Sequence, residues 1–262
     1  MIEAYLKYYD KYSAIAPLRF SIDSLFSRKK LARLSLIHRQ RDYLHLAKNP
    51  GLFTLHRQIN ECLLQGAKHW NSYDYGEGYF YQSFQRIGVT GFRDTEGRVK
   101  AMRLQEWVSG KRVLEVGCNT GFLSLSVAPH AVSVTAFDIA PHLTAISGLV
   151  ARHLGIENAT FQCVAFEDFQ TSEQFEVVLS FANHSTYDGN TKQPLASYFD
   201  RCAKLVQPGG VFLFESHPPQ HEGEGLEVAC QLISERFSIR SREVLNYGTF
   251  LDRKRTFVVA EH

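Results

Sequence analysis

The stretch Arg112-Val-Leu-Glu-Val-Gly-Cys-Asn-Thr-Gly-Phe-Leu-Ser-Leu125 constrains the fold more than any other in the chain. It reads as a strand of β-branched and apolar residues, a tight turn held by Gly117 and Gly121, and the start of a helix. In an open parallel sheet such a junction lies at the crevice beyond the carboxyl ends of the strands, where the backbone can approach a ligand closely. Asn119 stands between the two glycines, and asparagine is the side-chain-bearing residue that best tolerates a left-handed backbone.

A second strand, Val132 to Phe137, runs into Asp138, which lies 21 residues past Gly117. An acid at that place can accept both hydroxyls of a ribose. A dinucleotide fingerprint needs a third glycine at position 122, where the chain has Phe122, and a P-loop needs a Lys-Ser or Lys-Thr pair that does not follow Gly121. Both phosphate-binding motifs are therefore disfavoured, and an adenosine ligand without a phosphate chain remains.

From Thr95 a helix is expected through Met102 to about Val108, after which strand and helix alternate to the end. Strands are read at 112–116, 132–137, 159–164, 175–180 and 210–215, with a last pair near 237–244 and 255–260, and helices from about Leu143, Leu195 and Glu224. The expected class is α/β, a doubly wound and mostly parallel sheet.

Together with Phe137-Asp-Ile139 and Leu205-Val-Gln-Pro-Gly-Gly-Val-Phe-Leu-Phe214, the glycine turn resembles the class I (Rossmann-like) S-adenosylmethionine-dependent methyltransferases, over roughly residues 92–262. Just upstream, Gly88-Val-Thr-Gly-Phe-Arg-Asp-Thr-Glu-Gly-Arg98 is similar to wobble-uridine tRNA carboxymethyltransferases and to bacterial methyltransferases of glycan and natural-product pathways. The resemblance implies a seven-stranded sheet whose last two strands form an antiparallel edge, and S-adenosyl-L-methionine as cofactor. It places Gly117, Cys118, Asn119 and Gly121 in the cofactor turn, Cys118 as a small packing residue, and Asp138 with Ile139 at the ribose. Ala165 replaces a frequent aspartate, leaving Phe166 and Glu167 to meet the adenine, while Phe181 and Ala182 border the cofactor.

Glu115 sits on an otherwise apolar strand, so it needs a partner, expected among the turn amides or the cofactor's amino group. Tyr81 and Arg93 suit a polar cofactor tail, Arg93 especially, because a guanidinium pairs bidentately with a carboxylate. His184, just past the strand at 175–180, is the candidate base, with Asp188 available to orient it. His184, Asp188, Glu215, His217 and His221 gather near strand ends, but they lack a fixed ligand spacing, and turnover without a metal is expected.

Residues 1–70 carry 12 Lys and Arg against 5 Asp and Glu, and the remainder 17 against 22. This first segment is read as a helical appendage or cap, with Leu31, Leu34, Leu36, Ile37, Leu44 and Leu46 on one face and a break at Asn49-Pro50-Gly51. Residues 71–98 are read as an aromatic, glycine-rich linker or lid, and 99–262 as the methyltransferase domain. The five cysteines are scattered and form no C-x-x-C pair, which suits a reducing cytoplasm. No 18-residue apolar stretch is present to span a membrane.

The signatures of N6-adenine and cytosine C5 methyltransferases are missing after the strand at 175–180, and Asn183 stands where the wobble-uridine enzymes carry tyrosine. Ordinary methyl transfer to an oxygen of a small molecule or glycan is therefore expected. The alternative is an RNA methyltransferase using the basic arm on phosphates, and the third reading is a cofactor-binding scaffold without activity.

Overall fold

The computed structural model describes residues 41–42, 44–69, 80–184, 193–218, 220–248 and 254–262. Strand β3 (Arg112–Val116) lies at the centre, parallel to β4 (Ser133–Asp138) on one side and to β6 (Phe175–Phe181) on the other. Beyond them stand β5 (Ala159–Cys163), β7 (Val206–Glu215), β8 (Ser238–Leu245) and β9 (Arg255–Glu261), giving the order β5-β4-β3-β6-β7-β9-β8. All pairings are parallel except those of β9, which runs antiparallel to both β7 and β8. The seven strands and the antiparallel edge expected from the sequence are all present.

The central strands are apolar on both faces because helices cover both. Along β3 the side chains alternate: Leu114 and Val116 join one core with Phe137, Tyr198, Phe199 and Phe212, and Val113 joins the other with Leu104, Val134, Val177 and Phe257. Helices α2 (Thr95–Ala101), α3 (Leu104–Val108), α4 (Phe122–Val127), α5 (Pro141–Leu154), α6 (Leu195–Leu205) and α7 (Glu224–Ser234) supply the covering layers. Strand β7 starts four residues earlier than expected, since Pro208-Gly209-Gly210 is carried inside it at a register shift against β6 rather than in a turn before it. The helix expected from Thr95 to Val108 is broken in two, because Arg103 takes a left-handed φ of 50°.

The segment before α2 was expected as an aperiodic loop, and residues 80–93 instead form a small folded unit. Strand β1 (Phe80–Gln82) pairs in parallel with β2 (Gly91–Arg93), each too short to show a period in sequence. Phe80, Phe84, Ile87 and Val89 are buried with Phe122 and with Leu143, Ile146 and Val150 of α5. The preceding helix α1 (Phe53–His69) joins the same cluster through Leu55, Ile59 and Leu63, a four-residue spacing that makes one apolar stripe. Residues 1–40 and Asp188, to which helical and site roles were assigned, lie outside the described residues, as do residues 71–79 of the linker. Among the described residues no helix is long and apolar enough to cross a membrane.

Candidate active site at the carboxyl ends of the strands

The turn after β3 is built on three left-handed residues, Gly117 (φ 68°), Asn119 (57°) and Gly121 (68°). Asn119 holds this conformation with its own side chain, whose Oδ1 accepts from the Thr120 amide at 2.8 Å. Gly121 is required twice over: its φ disfavours a side chain, and a Cβ there would lie 2.5 Å from the Phe161 ring and 2.6 Å from Ser147 Oγ. The turn is also strapped from outside by Gln82 of β1. Gln82 Oε1 accepts from Thr120 Oγ1 at 3.0 Å and from the Phe122 amide at 3.2 Å, while its Nε2 donates to the Cys118 carbonyl at 3.4 Å.

Asp138 ends β4 facing this turn. Its carboxylate accepts the Asn119 amide at 2.8 Å and the Ala140 amide at 3.0 Å, which fixes it between the two strand-to-helix loops. Ile139 beside it is half-buried. Cys118 is fully buried, and burial, with the charges of Asp138 and Glu115, holds its thiol well above the usual range, so it packs and does not attack.

Glu115 finds its partner in Ser124 of α4, whose hydroxyl donates to Oε2. Burial outweighs that bond and raises the carboxyl from 4.5 to about 7. Phe166 is 1% exposed, stacks on Phe137, meets Tyr198 edge-on and belongs to the core beneath the sheet. The two aromatic partners sit on β4 and α6, and draw the ring inward. Glu167 next to it stays half-exposed, and its charge acts on His184.

At the end of β6, Phe181 is buried and Ala182 takes a left-handed φ of 55°, a strained conformation for a residue with a Cβ. The strain is held by the Ala182 amide, which donates to the Glu215 carbonyl at 3.0 Å, and by Asn183, whose Nδ2 donates to the Val116 carbonyl. Asn183 Oδ1 in turn accepts from Tyr198 at 2.8 Å and from Ser180 at 3.2 Å. This knot ties the end of β6 to the end of β3, so the backbone that presents His184 is fixed relative to the glycine turn.

His184 is 7% exposed, with Nε2 3.2 Å from the Gln193 carbonyl. Burial lowers its pKa below the ordinary 6.5, favouring the neutral imidazole. His221 stacks on it at 5.8 Å between centroids, and His217 lies against the His184 backbone. Burial holds both of these rings near 4, and neighbouring charge adds to the effect, Arg255 on His217 and the other imidazoles on His221.

Arg93 is fully buried, and its nearest acid is internal: Nη2 donates to Glu215 Oε1 at 2.6 Å, and Nη1 donates to the Tyr81 hydroxyl at 3.1 Å. Arg98 donates to the other oxygen, Glu215 Oε2, at 2.7 Å. Burial alone would raise Glu215, but the guanidiniums of Arg93, Arg98 and Arg255 bring it down to about 2. Glu215 is thus committed to arginines, and among the described residues no group of three His, Cys, Asp or Glu side chains is placed to hold a metal ion. Sequence reasoning missed Arg98, Arg255, Tyr198 and the strap by Gln82. A signal existed for Glu215, an acid closing the apolar run Val211 to Phe214, but nothing local names its partner 122 residues away.

Residues 113–210 match the family described as a methyltransferase domain. Over 107 residues the chain is 34% identical to the ubiquinone biosynthesis O-methyltransferase of Xylella fastidiosa (strain 9a5c), covering 39% of this chain and 40% of that enzyme. The chain thus spans about two fifths of the length of that curated relative. Among solved structures, the N-methyltransferase NodS from Bradyrhizobium japonicum WM9 shares 18% identity and a TM-score of 0.53 over 64% of this chain and 96% of its own. The same protein in complex with S-adenosyl-L-homocysteine gives 16% identity and a TM-score of 0.50 over 63% and 84%. Sheet order and match agree: residues 113–210 are similar to the methyltransferase-domain family, and the sheet that holds them has the fold of the solved N-methyltransferase.

Proposed function

We propose that the protein binds S-adenosyl-L-methionine across the turn from Glu115 to Gly121 and transfers its methyl group to an oxygen of a small molecule or glycan. The observation that carries this reading is the turn itself, with three left-handed residues closing on the Asp138 carboxylate. A carboxylate there suits a ribose diol and repels a pyrophosphate, so the donor set fits an adenosine ligand without phosphates. Relatives named as O-methyltransferases and a structural neighbour holding S-adenosyl-L-homocysteine support it.

The bound cofactor supplies an electrophilic methyl group on a sulfonium. Asp138 and Ile139 hold the ribose, the Gly117–Gly121 backbone and Tyr81 border the methionyl part, Glu167 reaches the adenine, and Phe181 and Ala182 line the side toward the acceptor. Transfer is an in-line displacement, so alignment supplies most of the acceleration, about 7 to 11 kcal/mol for well-oriented groups. His184, held neutral, takes the acceptor hydroxyl's proton, with Asp188 expected to orient it. The described part of the upstream segment, residues 80–98, reaches over the cofactor so that the sulfonium is shielded. Five free cysteines fit a reducing cytoplasm.

The test is calorimetric titration with S-adenosyl-L-homocysteine, followed by transfer of labelled methyl from the cofactor into fractionated extract. Asp138→Ala is expected to weaken binding by about tenfold or more, since hydrogen bonds to a charged group are lost. Unchanged affinity in that variant removes the assignment. Labelled RNA, with binding that falls steeply between low and moderate salt, would instead establish the reading in which the basic arm meets phosphates.

A further inference from the structure

Three arginines from three separate elements gather at the end of β7. Arg93 (β2) and Arg98 (α2) divide the two oxygens of Glu215 between them at 2.6 and 2.7 Å. Arg255 (β9), 6% exposed, donates to the Ser216 carbonyl at 3.1 Å and adds its charge to the same place. A guanidinium cannot relieve burial by losing its proton, so each such group needs acceptors for its fork of donors. Arg98 is 2% exposed, and its Nε is shielded from water and meets no acceptor. His217 Nδ1, on the strand end between Glu215 and His221, is likewise shielded and without a partner. Groups of this kind are rare in a folded interior and call for an explanation.

The position of the cluster identifies what would meet it. The glycine turn and Asp138 stand at the ends of β3 and β4, whereas Glu215 and Arg255 stand on β7 and β9, with β6 and His184 between. With neighbouring strands about 4.8 Å apart, Glu215 is two strands from β3 and Arg255 three, on the side of His184 away from the ribose acid. Arg98 also covers the Phe181 ring at 5.6 Å, which brings its guanidinium to the border of the acceptor side. The fields of the three arginines hold the Tyr81 phenol below its ordinary pKa in spite of burial, an environment that favours anions.

We propose that Arg98 and Arg255 seat a carboxylate of the acceptor, which is therefore a hydroxy acid whose hydroxyl is held toward His184. A carboxylate is chosen because the cluster already pairs with one, Glu215, through the same forks. The inference rests on the methyltransferase reading for the existence of an acceptor, and the test separates the two.

The full chain, with and without saturating S-adenosyl-L-homocysteine, is titrated calorimetrically with the three hydroxybenzoates and with the matching hydroxybenzamides, which differ only in charge. At least one acid is expected to bind about tenfold or more tightly than its amide, the loss expected for one hydrogen bond to a charged group. Arg98→Gln should erase that preference and Arg98→Lys restore part of it, with Arg255→Gln weakening it. No preference for any acid in the wild-type protein overturns the proposal, and this arm decides it even if the variants do not fold. A preference that survives in both glutamine variants also overturns it. So does a loss of S-adenosyl-L-homocysteine affinity in Arg98→Gln with 5′-methylthioadenosine binding unchanged, which would give the carboxylate to the cofactor. Failure of S-adenosyl-L-homocysteine to bind the wild-type chain counts against the methyltransferase reading alone, because the acid and amide pairs are also compared without it.

Discussion

At the ends of β3 and β4 the site is made of backbone, with left-handed turn residues and two amides holding Asp138, whereas at the ends of β7 and β9 it is made of long charged side chains converging on Glu215. The two acids at the centres of these regions respond in opposite ways to the same burial. Glu115 has a hydroxyl for a partner and is raised to about 7, while Glu215 has guanidiniums and is lowered to about 2. Desolvation penalises both; Arg98 acts on each, but only at Glu215, where three guanidiniums gather, does opposite charge reverse the outcome. An acid partnered by a hydroxyl therefore tolerates the neutral form, and one partnered by arginines depends on the ionised form.

The largest effect is expected from Glu215→Ala, which leaves two buried guanidiniums without their carboxylate and should cost about 3 to 5 kcal/mol in denaturant unfolding. A loss below about 1 kcal/mol would mean that the arginines do not depend on Glu215, and the contrast would fail. Gly121→Ala attacks the other region: left-handed strain of about 1 to 2 kcal/mol adds to overpacking of about 1 to 3 kcal/mol against Phe161 and Ser147. Thermal unfolding should register that loss together with weakened S-adenosyl-L-homocysteine binding, and a wild-type result in both would show that the turn relaxes freely. His184→Ala tests the residue lying between the regions. Turnover should fall about a hundredfold or more with cofactor affinity near wild type, and near-normal turnover would leave His184 a structural residue.

The smallest effect sharpens the contrast through pH. Glu215 is lower in the fold than its ordinary 4.5, so the stability it contributes is complete above 4.5 and is lost as pH falls toward about 2. Glu115 is higher in the fold, so its contribution is complete below 4.5 and is lost as pH rises from there through about 7. Unfolding midpoints followed across pH should lose the second slope in Glu115→Gln and the first in Glu215→Gln. Slopes of the same sign in the two variants would contradict the contrast.

The same difference in construction decided what was legible in the sequence. The turn, Asp138 and Asn119 act through local conformation, and spacing over some 20 residues is enough to read them. The strands of the sheet announced themselves because parallel strands are continuous apolar runs. The packing of Phe166 was not legible, because its aromatic character fits an adenine ring and a core equally well and nothing in the sequence records its neighbours Phe137 and Tyr198. The arginine cluster was hidden because Arg93, Arg98, Glu215 and Arg255 come from four elements, and no periodicity records that they meet. The strap by Gln82 was hidden for the same reason, since its partners Thr120 and Phe122 lie 38 and 40 residues further along the chain.

That strap by Gln82 bears on where the protein can be cut. The recognisable domain begins at residue 113, yet the turn it contains is hydrogen-bonded to a strand that ends 31 residues earlier, at Gln82, and Phe122 beside it is covered by Phe80 and Phe84. A fragment starting at the boundary of the match would carry the glycine turn and Asp138 while baring an aromatic surface and leaving the Phe122 amide, the Thr120 hydroxyl and the Cys118 carbonyl without Gln82. Amide protons of residues 118–122 and of 80–93 should accordingly exchange with solvent as one cooperative unit, and an expression boundary drawn after residue 98 would divide it.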